Sequence, residues 1–128
     1  MSAKTPEEIC TLFKKFMRTA DIDSLLVEVY DPEVVFLSES RDLLKGRDGL
    51  RKVLAPLAAS KPNFDYKILQ IIQSGDIALM HTEWVVSGRE SKQHAIEVAR
   101  RQRDGTWRWL IGDPFTVDRE IGARSEAA

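Results

Sequence analysis

The second half of this chain constrains its fold more than any other feature. From residue 63 onward it reads as four long extended segments separated by tight-turn signals. The segments are Phe64–Gln73, Ile77–Ser87, Gln93–Arg103 and Thr106–Val117. Ser74-Gly75-Asp76 and Gly88-Arg89-Glu90 turn the chain between them, and Asp104-Gly105 is a strong hairpin signal. Strands joined so tightly must pair antiparallel, because a parallel return needs a crossover of a dozen residues or more.

The first half is helical. Thr5-Pro6-Glu7-Glu8 is a capping box with proline at the first helical position. Ile9, Leu12, Phe13, Phe16, Met17 and Ala20 follow as one apolar stripe, with Lys14, Lys15 and Arg18 off it. Asp21–Tyr30 reads as a second, short helix that Asp31-Pro32 ends. Val34–Leu37 is a short strand, and Ser38–Asp42 a polar loop. Gly46-Arg47-Asp48-Gly49 opens a third helix carrying Leu50, Val53, Leu54 and Leu57, which Pro56 must kink or end. Residues 118–128 have little to bury and are expected to fray, leaving an ordered core over about 6–117. Helices first and strands afterwards predict an α+β domain, 1–128, with helices on the concave face of a curved antiparallel sheet. A strongly twisted sheet curls, and helices laid in the curl enclose a cone-shaped cavity.

Composition narrows the class. Hydrophobic residues make up 43% and charged residues 30%, and the net charge is -1. That balance argues against a nucleic-acid binder or a basic membrane anchor. Uninterrupted apolar runs reach about four residues, against ~20 for a membrane span. One cysteine, Cys10, and a polar N-terminus point to a reducing, cytoplasmic setting. Two histidines without helical i, i+4 spacing argue against a metal site, and no Gly-rich phosphate loop or G-x-S-x-G turn is present, so no cofactor is expected.

The site candidates come from strand pairing. A two-residue Asp104-Gly105 turn sets Trp107 opposite Gln102, Trp109 opposite Arg100, Ile111 opposite Val98 and Asp113 opposite Ile96. Strict alternation puts Trp107, Trp109, Ile111 and Asp113 on one face. Met80, Thr82 and Trp84 are assigned to the same concave face, because helices need the more apolar surface. The expected pocket is therefore lined by Trp84, Trp109, Met80 and Thr82. Asp113 is its carboxylate, with His94 as the nearest partner for general acid–base work. Asp113 also suits a turn cap at Asp113-Pro114. His81, Glu83 and Glu97 form a rival polar set on the opposite face, with His81 and Glu97 facing each other.

The run VYDPEVVFLSESRDLLKGRDGLRKVL, with GDIALMHTEWVVSG and DGTWRWLIGDPF, resembles the nuclear transport factor 2-like superfamily, in its SnoaL-like and ketosteroid-isomerase-like branch. The resemblance covers roughly residues 6–117. It implies a cone of curved sheet with three helices, usually a homodimer packed through the sheet, often binding a small hydrophobic molecule and needing no cofactor. Some members are isomerases, cyclases or dehydratases. Carried onto this chain, the steroid isomerase base falls on Leu37, which cannot accept a proton, and Phe13 and Phe16 stand where a tyrosine is expected. The second oxyanion acid falls near Glu97, and a cyclase acid near Asp113. Three readings follow: a binder of a small apolar or aromatic molecule, a cofactor-independent enzyme using Asp113 and His94, and a dimeric assembly module with a filled pocket. A binder or enzyme needs an open cavity of at least ~300 Å³. A filled module needs its tryptophans against the first helix.

Overall fold

The computed structural model describes residues 2–89 and 91–127, the last five as backbone only. Glu90 in the second expected turn and Ala128 lie outside them. The first helix, α1, spans Pro6–Arg18. The Thr5 hydroxyl accepts from the Glu8 amide at 3.3 Å, and the Glu8 carboxylate reaches back to the Lys4 amide at 2.7 Å. A short helix α2, Ile22–Glu28, follows on an Asp21 cap. Strand β1 is Tyr30–Leu37, longer than expected, because Tyr30 and Asp31-Pro32 belong to it and not to the helix. Strand β2, Leu43–Lys45, pairs with β1 where a loop was expected to lead into the third helix.

Helix α3, Gly46–Ala59, runs through Pro56. Pro56 faces solvent, so water can satisfy the carbonyl its missing N–H leaves free. The long strands are β3 (Phe64–Ser74), β4 (Ile77–Val86), β5 (Gln93–Arg101) and β6 (Trp107–Asp113). All six strands form one sheet in the order β2-β1-β6-β5-β4-β3. The β3 to β6 meander is antiparallel, whereas β1 runs parallel to β6. Residues after Asp113, expected as strand to Val117 and then a frayed tail, form a fourth helix, α4, Thr116–Ala127.

Two bulges shape the antiparallel meander. One falls between Ile68 and Gln70 of β3 and the other between Trp109 and Ile111 of β6. Each adds a residue to one strand, bends it and reverses which face later side chains take. The concave face carries Ala78, Met80, Thr82 and Trp84 of β4, and Ala95, Glu97 and Ala99 of β5, all buried. Helix α1 lies in the curl with Ile9, Cys10, Leu12, Phe16 and Met17 buried against the sheet.

Candidate functional site

The pairing of β5 with β6 decides the site. The hairpin closes through Gln102 N–H to Thr106 O at 2.6 Å, which makes a three-residue loop rather than two. Gly105 takes φ +85 there, a conformation glycine adopts without strain. Trp107 therefore faces Arg101, and Trp109 faces Ala99. The bulge at Leu110 then restores the expected register, so Val98 faces Ile111 and Ile96 faces Asp113. Trp107, Trp109 and Gly112 point inward, while Ile111 and Asp113 point outward.

Asp113 is thus not on the cavity wall, which corrects the expectation that it follows the tryptophans along one face. Its Oδ1 accepts from the Phe115 and Thr116 amides at 3.4 and 3.1 Å, fixing the corner that starts α4. His94 is not its partner. His94 Nδ1 lies 2.8 Å from Asp118 and Nε2 lies 3.4 Å from Glu83 on the outer face. The rival set divides as well. His81 faces Ile96 on the outer side, whereas Glu97 faces Met80 and Gly112 on the inner side.

A cavity of about 140 Å³ lies in the cone. Its walls are Phe13 of α1, Tyr30 and Phe36 of β1, Leu54 of α3, and Phe64, Trp84 and Trp109 of the sheet. Val53 and Leu57 of α3, Gln93, Ala95 and Glu97 of β5, Pro114 and Phe115 complete it. Trp84 and Trp109 line it as expected. Met80 and Thr82 share their face but sit behind them. Trp84 Nε1 donates to Thr82 Oγ1 at 2.7 Å, and Trp109 Nε1 approaches Met80 Sδ at 3.4 Å. With both indole N–H groups satisfied inside the sheet, only ring surface remains for the cavity. Phe13 packs on both rings, at 5.1 Å from Trp84 and 5.7 Å from Trp109. The first helix touches the tryptophans, yet space remains. That space is smaller than the ~300 Å³ of an ordinary ligand pocket and close to the ~150 Å³ engineered cavity that holds benzene.

One carboxyl faces this apolar space. Glu97 is 6% exposed, between Ala95 and Ala99 on the inner face. Among the described residues none hydrogen-bonds its carboxyl. Burial, then the negative charge of Asp113, raises its pKa to about 8. At neutral pH it carries a proton and is a donor. The Tyr30 phenol, also on the wall, is held neutral by burial and then by Glu97. Gly112 leaves the room beside them. A β-carbon there would lie 2.8 Å from Phe36 Cδ2 and 3.9 Å from Glu97 Oε2.

Leu37 is half-buried and does not line the cavity. Cys10 is buried, its thiol pushed up by burial and by Glu97, so it is a poor nucleophile. Among the described residues no group of three or more His, Cys, Asp or Glu side chains is placed to hold a metal ion. No helix among them is long and apolar enough to cross a membrane.

Comparison with solved structures agrees with this architecture. A Nostoc punctiforme protein of unknown function with a cystatin-like fold is 16% identical, with a TM-score of 0.73 over 90% of this chain and 94% of its own. A ketosteroid isomerase-like protein from Erwinia carotovora atroseptica is 19% identical, with a TM-score of 0.60 over 83% of this chain and 88% of its own. A Catenulispora acidiphila protein in complex with S-DNPA is 12% identical, with a TM-score of 0.66 over 91% and 93%. Similarity at these identities establishes the fold, shared by nuclear transport factor 2-like proteins. Comparison with curated proteins found no match. The SnoaL-like domain model matches residues 11–109, which is most of the chain and includes α2, α3, β3 to β5, the start of β6 and both cavity tryptophans. This chain belongs to the SnoaL-like domain family.

Proposed function

We propose that the cone cavity binds a small, largely apolar molecule of about one six-membered ring, carrying one hydrogen-bond acceptor such as a ketone oxygen. Protonated Glu97 donates to that acceptor. The observation that carries this reading is a single buried carboxyl, held neutral, on a largely apolar wall. Trp84, Trp109 and Phe13 supply ring surface, and Thr82 and Met80 orient the two indoles. A relative held with S-DNPA is in keeping with a small-molecule role.

Binding is favoured over turnover by what the wall lacks. Moving a proton next to a carbonyl takes a donor and a base. Glu97 and Tyr30 are the titratable side chains on the described wall, and both are neutral at pH 7. Asp113 and His94 point elsewhere. The acid–base alternative, an isomerase or dehydratase without a cofactor, therefore uses Glu97 as the base once it ionises, with Tyr30 as the O–H donor. The two readings have opposite pH profiles. Binding through a Glu97 donor weakens above about pH 8, whereas turnover through a Glu97 base rises there.

Titration with cyclohexanone and acetophenone, followed by tryptophan fluorescence at pH 6.5 and 9.5, separates them. The expected result is saturable quenching at the lower pH and affinity weaker by about tenfold at the higher. Glu97→Gln, whose amide still donates, is expected to bind with no pH dependence, and Glu97→Ala to bind poorly. Wild-type binding that ignores pH, or no binding of either ketone, would overturn the reading. Exchange of the ketone α-protons in heavy water, rising through pH 8 and lost in Glu97→Ala, would move the assignment to the enzyme.

We also propose that a second copy of the chain covers the outer face of the sheet, giving a cytoplasmic homodimer. The support is its apolar surface. Ile72, Leu79 and Ile111 are 53%, 45% and 45% exposed there.

A further inference from the structure

We infer that α4 is a latch on the cavity mouth, fastened by two adjacent residues of β5 that point to opposite faces of the sheet. The inference rests on the ligand-cavity reading and adds how the cavity is entered. Its basis is the unequal length of the last two strands. Strand β6 stops at Asp113, opposite Ile96, so Gln93, His94 and Ala95 of β5 have no β6 partner. The edge left bare is taken up by α4. The His94 amide donates to Asp118 Oδ2 at 2.8 Å, and the His94 ring meets Asp118 Oδ1 at 2.8 Å. One carboxylate of α4 thus stands where a continued β6 would have paired with His94. From the cavity side, Gln93 Nε2 donates to Pro114 O at 2.9 Å.

What these bonds hold is part of the cavity wall. Gln93, Pro114 and Phe115 face exposed Val53 and Leu57 of α3 across the mouth. The fastening is polar and sparse. Among the described residues, its other polar bonds are Arg119 donating to Glu39 O at 2.8 Å and the Asp113 turn. Ile121 of the same helix is 51% exposed, and half-buried Phe115 at its start packs on the core, so the apolar hold seen among the described residues is mainly at that corner. Segments held by a few polar bonds that water can replace open far more readily than a packed core. The other walls are core strands, Phe13 of α1 and buried Leu54 of α3. Releasing Asp118 from His94 and Pro114 from Gln93 lets the Pro114-Phe115 corner leave the mouth while Glu97, Trp84 and Trp109 stay in place. Asp118 touches no part of the cavity, so its effect is on passage and not on the bound state.

The test compares wild type, Asp118→Ala and Asp118→Asn, in two measurements of which one needs no ligand. Acrylamide quenching of the empty protein reports access to its three tryptophans, and reads the cavity through Trp84 and Trp109 when Trp107 is replaced by Phe in every variant compared. Stopped-flow mixing with cyclohexanone gives entry and exit rates. Asp118→Ala is expected to raise the quenching constant severalfold and both rates together by about tenfold, with Kd changed by less than about threefold. Asp118→Asn keeps one acceptor oxygen and is expected to fall between. Unchanged quenching and rates in a variant that melts as wild type would overturn the latch. So would a loss of affinity with an unchanged entry rate, since Asp118 would then shape the bound state. Should Asp118→Ala fail to fold, Asp118→Asn decides by the same criteria. If cyclohexanone does not bind wild type, the ligand reading falls, and acrylamide alone still decides whether the latch opens.

Discussion

Glu97 carries the chemistry, and its environment sets the sign of a pH effect on stability. In the unfolded chain it ionises near its ordinary 4.5, and in the fold it keeps its proton to about 8. Below 4.5 both states hold the proton. Between the two values only the unfolded chain releases it, so stability falls as pH rises, by up to ~1.4 kcal/mol per unit, and levels off above about 8. Urea melts of wild type and Glu97→Gln across pH 4 to 9 check this. Wild type is expected to lose stability along that window and the variant to lose less, ending ~1–3 kcal/mol ahead of wild type at pH 9. Gly112 works beside Glu97 by having no side chain. A methyl group there meets the Phe36 ring at 2.8 Å, too close for van der Waals contact. Gly112→Ala is expected to cost ~1–3 kcal/mol through that overlap and to weaken ketone binding by filling the space next to Glu97. Thermal melts and the fluorescence titration measure the two effects separately.

At the scale of elements, one extra residue in β6 decides which carboxylate meets the cavity. Asp113 lies four positions after Trp109, and unbroken alternation puts both on one face. Leu110 breaks the alternation and sends Asp113 outward. It is then a structural acid, and Asp113→Ala is expected to loosen the start of α4 at a cost of ~1 kcal/mol. Ketone affinity at pH 6.5 should be nearly unchanged, with faster amide exchange over residues 114–119 as the direct readout. Periodicity and turn chemistry are legible in sequence, so the first three helices, the meander and the concave set Met80, Thr82 and Trp84 were all readable. The residues at its turns were readable too, but not the loop length, since Asp104-Gly105 suits both two- and three-residue connections. Bulges leave no clear mark in a run such as Trp107-Arg108-Trp109-Leu110-Ile111. The three-residue loop and the bulge shift the register in opposite senses, so the pairing of Asp113 with Ile96 was correct while its face was not. A signal for Glu97 did exist: an acid between Ala95 and Ala99 at strand spacing is an acid among small, buried neighbours. The fourth helix was hidden because its apolar positions are few and its attachment is polar.

For the whole molecule, the sheet has two faces with different needs. The inner face is closed by α1, α2 and α3. The outer face has no helix to cover Ile72, Ile77, Leu79 and Ile111, which are exposed. Gln70, Ile72, Leu79, His81 and Ile96 form a shallow outer groove of about 120 Å³ there, with the His81 Nε2 atom buried and unpartnered among the described residues. An apolar strip of this kind on a rigid, curved sheet suits a second copy of the same surface, since a two-fold axis lets each patch cover its equal. The cavity opens beside α3 and the start of α4, away from this strip, so pairing leaves the mouth free. Placing a charge in the strip then separates assembly from binding. Leu79 points outward, opposite Ile72, so Leu79→Glu adds no charge to the core. In sedimentation velocity the wild type is expected at twice the chain mass and Leu79→Glu at the monomer mass. Its ketone affinity and its Glu97-dependent pH response should be unchanged. A monomeric wild type would reject the dimer and leave the outer strip as a surface for some other contact. A variant that becomes monomeric and also loses ketone binding would mean that the cone depends on its twin for its shape, because no residue of the strip reaches the cavity.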